Sequence, residues 1–239
     1  MLAWDQAISR GPDDIEACFA RLGHEAQAYQ VGALQPPPAP LPDDVERFLD
    51  LGPCAFVGFG SMPDADRDAT LAVLADAARL SGVRVVTQGP EPGRRGDVLV
   101  APSLSHAALF PRVVAIAHHC GAGTTAAAAR SGVPQIAVPH FVDQPMWAKR
   151  LAERGVSAGT LSRKRLRAAE LAAAIRRCTD DAELRARARA LANDLTATDP
   201  VAVAVGIVTG LAQGQASSAS SSASPSSSSS SSSSLPSLS

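Results

Sequence analysis

From Pro53 onward the chain alternates short apolar runs with longer stretches whose apolar positions recur every three or four residues. In order they read CAFVGFG, DADRDATLAVLADAARL, VRVVTQG, DVLVAP, VVAIAHH, TTAAAARSG, PQIAVPHF, DQPMWAKRLAERG and VSAG. Runs that are apolar throughout predict strands buried on both faces, and strands alternating with helical segments predict βαβ units. The expected fold class is therefore α/β, a Rossmann-like doubly wound parallel sheet. Three more helical segments follow, SRKRLRAAELAAAIRRC, DAELRARARALANDL and DPVAVAVGIVTGLA, the first two with Ser162 and Asp180 placed to cap them.

The ends differ from this middle. Residues 1–51 hold short amphipathic pieces and the proline-rich QPPPAPLPDD, which reads as a linker, while Ser217–Ser239 is almost pure serine and reads as a disordered tail. The predicted organisation is 1–51 as an N-terminal remnant with linker, 52–213 as the folded domain, and 214–239 as the tail.

Charge and composition narrow the partners. Twenty-two Lys+Arg against 23 Asp+Glu leave a net charge of −1, which disfavours nucleic acid or an anionic membrane held by overall field. The basic run SRKRLR reads as a solvated helix face, like the later arginines 176, 177, 185, 187 and 189. Four cysteines, Cys18, Cys54, Cys120 and Cys178, show no CxxC spacing, so neither a zinc site nor a disulfide framework is implied. The first residues lack a signal-peptide pattern and no uninterrupted apolar run reaches ~18 residues, so the expectation is a cytoplasmic protein without a transmembrane segment.

The chemistry concentrates at His118–Thr125, HHCGAGTT, where the apolar run ends and an alanine-rich helix begins. A strand that gives way to small residues and a helix aims backbone N–H groups and the helix dipole at an anion. A metal site is disfavoured, because adjacent strand residues point to opposite faces and His118 and His119 do not converge. A dinucleotide fold fits GAGTTA and the later Asp143, yet three strand-like runs precede the motif and the histidine has no task. A diphosphate-bearing sugar donor employs every residue type: an imidazole, backbone amides and threonine hydroxyls.

FVGFGSM together with ALFPRVVAIAHHCGAGTTAAAARSGVPQIAVPHFVDQPMWAKRLAERGVSAG closely resembles the C-terminal, nucleotide-sugar-binding half of the family 1 glycosyltransferases of GT-B fold, over roughly Leu41–Leu211. Sterol glucosyltransferases and bacterial antibiotic glycosyltransferases are the most similar in pattern. The resemblance implies that His119 and the turn Gly121, Ala122, Gly123, Thr124 and Thr125 hold the donor diphosphate. It implies that Asp143 and Gln144 hold sugar hydroxyls, Asp143 also capping the helix that starts there, and that Gly60 and Ser61 form a turn near the phosphates. His118 is expected to pack, Trp147 and Phe141 to be core, and His106 is a weaker candidate in the base-side loop.

Two departures stand out. The turn Thr87–Gly93, TQGPEPG, has no aromatic to stack on a base, and the acceptor domain that supplies the catalytic base is largely absent, His24 in RLGHE being a poor substitute. The implied activity is transfer of a hexose from a UDP-sugar, UDP-glucose by expectation, to a lipid-like or secondary-metabolite hydroxyl with inversion, with no metal and no cofactor. The acceptor surface would come from a partner chain or from further sequence. The alternative is a truncated, non-catalytic nucleotide-sugar-binding module, with an NAD-binding domain a distant third.

Overall fold

The run Cys54–Gly58 forms strand β1, buried at every position, and its residues divide by parity between two packing layers. Ala55 and Val57 face one layer while Cys54 and Phe56 face the other, as the period of two in a strand requires. The same enclosure holds for β4 (Val98–Ala101) and β5 (Ala115–His118), between which the chain forms α3 (His106–Leu109) and a 3-10 turn at Phe110–Arg112. The computed structural model describes Ile8, Tyr29, 31–60 and 66–221, with side chains to 213; Ser61, His24 and most of the serine tail lie outside the described residues.

The remaining elements are α1 (Asp43–Asp50), α2 (Arg67–Ser81), β2 (Arg84–Gln88), β3 (Gly93–Arg95), α4 (Ala122–Arg130), β6 (Gln135–Ala137), α5 (Gln144–Glu153), β7 (Ser157–Thr160), α6 (Ala168–Asp180), α7 (Ala182–Thr196) and α8 (Pro200–Ser221). The seven strands form one sheet in the order β3-β4-β2-β1-β5-β6-β7. All pairings are parallel except β3 with β4, which is antiparallel. The α/β expectation is met, with one addition: the three-residue edge strand Gly-Arg-Arg is exposed, and its arginines discourage edge-to-edge pairing.

One layer is built from Leu71, Leu74 and Ala78 of α2 with Leu171 and Ile175 of α6. The opposite layer takes Val45, Phe48 and Leu49 of α1, Leu109 and Phe110, and Ala127 and Ala128 of α4. Core packing thus begins upstream of residue 52: α1, in the stretch read as linker, buries Val45 and Phe48 and ties to the body through Arg112, which pairs with Glu46 and Asp50. A third cluster joins Trp147, Ala148 and Leu151 of α5 to Ala188, Leu191 and Leu195 of α7.

Helix ends revise several sequence expectations. Ser162 makes no side-chain cap, α6 starts from an uncapped Arg167, and the cap of α7 is Asp181, whose carboxylate accepts from Leu184 N–H at 2.9 Å. Of the arginines expected on solvated faces, Arg176, Arg177 and Arg189 are exposed, yet several also donate to main-chain carbonyls of other elements: Arg176 to Leu80 at 2.7 Å, Arg187 to Gly155 at 2.7 Å and Arg177 to Ala158 at 3.1 Å. A guanidinium at a helix C-terminus satisfies orphan carbonyls and meets the negative end of the dipole. Arg163 of the SRKRLR run lies over the Phe59 ring, 4.4 Å from its centroid, and donates to Thr70 Oγ1.

The chain divides into two compact units, Met1–Val201 and Ala202–Ser239. Helix α8 begins at Pro200 and continues past Gln213 to Ser221. Against the expectation of no spanning segment, the helical stretch Ala182–Gln213 is long and apolar enough to cross a membrane, by length and composition only. Residues 197–199 are not helical and separate α7 from α8, whose first residue, Pro200, holds a position where its missing N–H costs nothing.

Candidate functional site

The strand order reverses between β1 and β5: β1 leads through α2 to β2 on one side, and the chain later returns to place β5 on the other. Open α/β sheets bind ligands at such a switch point, beyond the carboxyl ends of the strands. Glycine-rich turns emerge there from both strands, and His119 lies between them. A Cβ on Gly60 would approach His119 Cε1 to 2.7 Å, and a Cβ on Gly121 would reach Nε2 to 2.5 Å. Both positions therefore need glycine to admit the ring, and Gly60 also adopts φ +73°.

His118, by contrast, is fully buried beneath the turn. Its Nε2–H donates to Gln135 Oε1 at 2.8 Å, and its Nδ1 accepts from the Cys120 N–H at 3.1 Å. Both ring nitrogens are thus occupied, and burial pushes the pKa down to about 4 against the opposing influence of the Gln135 bond. The bond to Cys120 clamps a residue at φ 63°, a left-handed conformation uncommon outside glycine, and so sets the direction in which the chain leaves β5. His118 packs as expected, while His119 is only half-buried, its ring beside Gly60 and Gly121.

His119 is half-buried, and burial holds its pKa below the ordinary histidine value; the Gly58 carbonyl and the Asp143 carboxylate act in the opposite direction. Its buried Nδ1 has no partner at hydrogen-bonding geometry, so the influence of Gly58 is that of a nearby dipole. An anion arriving at the ring would favour protonation, because it adds an opposite charge at close range.

Helix α4 opens directly after the ring. Gly121 is its N-cap and Thr125 N–H is the first to bond within the helix, to the Gly121 carbonyl at 2.9 Å. The Ala122, Gly123 and Thr124 amides precede that bond, and no acidic residue occupies the first turn. The two threonines separate: Thr124 is partly open, but Thr125 is fully buried with its hydroxyl unpartnered. Thr125 therefore does not present its hydroxyl to a ligand as the sequence suggested, since helical geometry turns adjacent side chains ~100° apart.

Across the crevice, Asp143 and Gln144 open α5 after β6. Asp143 is exposed and makes no cap bond; its Oδ2 accepts from Trp147 Nε1–H at 2.9 Å, which leaves the second oxygen as an acceptor. Gln144 is buried, and its Oε1 accepts from His140 N–H at 2.8 Å and Phe141 N–H at 3.3 Å, so it braces the loop that carries Asp143. Trp147 is core as expected, whereas Phe141 is 46% exposed at the rim.

His106 stacks on Phe110, ring centroids 4.4 Å apart, and packs edge-on to Phe56. Burial, and then the proximity of His119, keep it below the usual histidine pKa. It lines a cavity of about 220 Å³ with Gln35, Ala127 and Arg130. Gln35, from the proline-rich segment, also donates to the Gly123 carbonyl at 3.4 Å, a contact that sequence gave no means to foresee. A larger cavity of about 430 Å³ lies at the amino-terminal ends of the strands, beside Pro53, Val113 and Pro134. Its position opposite the switch point separates it from His119 and Asp143.

The sheet and this site define the C-terminal, Rossmann-like half of a GT-B glycosyltransferase. Residues 65–209 match the family of erythromycin biosynthesis protein CIII-like C-terminal domains, and the chain belongs to that family. It is 40% identical over 192 residues to the vancomycin aglycone glucosyltransferase of Amycolatopsis orientalis, covering 75% of this chain and 45% of that protein. It is 36% identical over 165 residues to the O-mycaminosyltylonolide 6-deoxyallosyltransferase of Streptomyces fradiae, covering 68% of this chain and 39% of that one. Sterol 3-beta-glucosyltransferases of plant and fungal origin match at 32% and 30% identity. Among solved structures, LpCGTa in complex with UDP superposes with a TM-score of 0.61 at 20% identity, over 81% of this chain and 49% of that one, a likeness of fold. The chain thus spans less than half the length of these relatives.

Proposed function

We propose that this domain binds a UDP-sugar, UDP-glucose in the first instance, and serves transfer of the hexose to a hydroxyl of a lipid-like or secondary-metabolite acceptor with inversion at the anomeric carbon. The observation that carries the reading is His119, inserted between Gly60 and Gly121 at the switch point and level with the open amides of α4. Relatives named for glucosyl transfer and a neighbour of the same fold holding UDP support the choice of donor.

In this reading the diphosphate lies against the His119 N–H and the Ala122, Gly123 and Thr124 amides, with the helix dipole behind them. The acceptor oxygen attacks the anomeric carbon as the bond to the phosphate oxygen breaks, and the departing diphosphate gains negative charge. Donors fixed in advance stabilise that charge in the transition state more than in the bound substrate, which is what accelerates the step. Asp143 holds sugar hydroxyls with the oxygen that Trp147 leaves free, while Gln144 keeps the Asp143 loop in place. The base that deprotonates the acceptor is supplied outside the described residues, and no metal is required for leaving-group stabilisation of this kind.

The test is calorimetric titration of the full chain with UDP and UDP-glucose, repeated with His119→Ala. Loss of one charge-assisted hydrogen bond, ~1.5–3 kcal/mol, predicts affinity lower by roughly tenfold or more. Equal affinity of wild type and variant refutes the cradle.

A further inference from the structure

The donor crevice continues from β5 across β1 to β2, and at its far end Gly89 follows β2. The turn 87–93 contains no aromatic side chain. At Gly89 the turn is met instead by Arg67, the first residue of α2. A Cβ built on Gly89 would lie 1.8 Å from Nη2, 2.6 Å from Cζ and 2.7 Å from Nη1, so the end of the guanidinium occupies the place of a side chain at 89. Arg67 Nε is buried and has no hydrogen-bond partner. Phe59, at the end of β1, already has the Arg163 guanidinium 4.4 Å from its ring centroid.

This arrangement has a consequence for the donor, resting on the diphosphate site proposed above. With sugar hydroxyls at Asp143, after β6, and the diphosphate at His119, after β5, the nucleoside must extend the other way, over β1 toward β2. Two strand spacings, ~10 Å, separate the β5 and β2 ends, a distance suited to the reach from diphosphate to base. We propose that the nucleobase of the donor rests on the Arg67 guanidinium, which can come this close to the turn because residue 89 is glycine. A guanidinium is weakly hydrated, planar and able to stack on a π face, and bases are held on arginine planes in this way elsewhere. Lysine offers the charge without the plane.

Calorimetry on the full chain with two probes, UDP and ribose 5-diphosphate (the same ligand without its base), tests the assignment. The expected results are that wild type binds UDP more tightly than the baseless probe, and that Arg67→Ala and Arg67→Lys each weaken UDP about tenfold, as loss of one base stack predicts, while leaving the baseless probe unchanged. Gly89→Ala should reproduce the loss, since its methyl displaces only the far end of a flexible side chain and Gly89 is not in a left-handed conformation. His119→Ala should weaken both probes. The proposal is overturned if Arg67→Lys retains full UDP affinity, if Arg67→Ala weakens both probes alike, which makes it a phosphate contact, or if the base adds nothing to wild-type affinity. A wild type that binds neither probe overturns the diphosphate site itself, an outcome distinct from these.

Discussion

Acidification tests the clamp under the anion turn. His118 titrates at about 4 in the folded chain, against 6.5 for an ordinary histidine. Above pH ~6.5 the ring is neutral in both folded and unfolded chains, and the clamp's contribution is complete. As the pH falls from ~6.5 to ~4 the unfolded chain takes up a proton that the folded chain excludes, so stability is lost through that window and levels off below it. The cause is burial, which would leave a cation without solvent; a proton on Nδ1 would also break the bond from Cys120 N–H. At ~1.4 kcal/mol per pKa unit the lowered value corresponds to ~3 kcal/mol, approached at ~1.4 kcal/mol per pH unit between about pH 6 and 4.5. Urea unfolding at half-unit steps from pH 7.5 to 4, on wild type and His118→Gln, isolates this contribution because carboxylates and the other histidines titrate in both. The variant is expected to be less stable at pH 7, having lost a fitted ring, but to lose ~3 kcal/mol less than wild type on acidification. Parallel pH dependences of the two proteins would refute the assignment of a buried neutral His118.

Two further substitutions probe the surrounding turn. Gly121→Ala places a methyl where His119 Nε2 now lies, at a backbone φ of −65° that alanine accepts, so it should cost less than about 1 kcal/mol in urea unfolding yet lower UDP affinity roughly tenfold in calorimetry. Val142 holds φ 60° while 82% exposed, a left-handed conformation that a β-branched residue adopts only under strain; Val142→Gly should raise the urea midpoint by the equivalent of ~1 kcal/mol, and an unchanged or lower midpoint would deny the strain.

Much of this molecule was legible in its chain. Runs apolar throughout identified the buried strands, and the step from VVAIA to HHCGAGTT to alanines identified a strand, a turn and a helix N-terminus. These are local properties, in which side-chain size and polarity along a few residues dictate backbone geometry. The separation of His118 from His119 followed from the same local rule, since neighbours on a strand point to opposite faces.

Other features depend on partners distant in sequence. Arg163, Arg176 and Arg187 read only as solvated charges, and the fold adds Phe59, Leu80 and Gly155 as their partners. Asp143 read as a helix cap, but the Trp147 indole one turn away captures its carboxylate. Helix α1 lay in text that looked like linker, and its value appears only where Phe48 meets the sheet. The guanidinium of Arg67 on Gly89 joins residues that share no motif. The pattern along the chain determined which segments are strands and helices and which turn can face an anion; the packed sheet alone decided which glycines make room for His119 and Arg67, because such contacts are set by three-dimensional proximity across strands and carry no periodic signal.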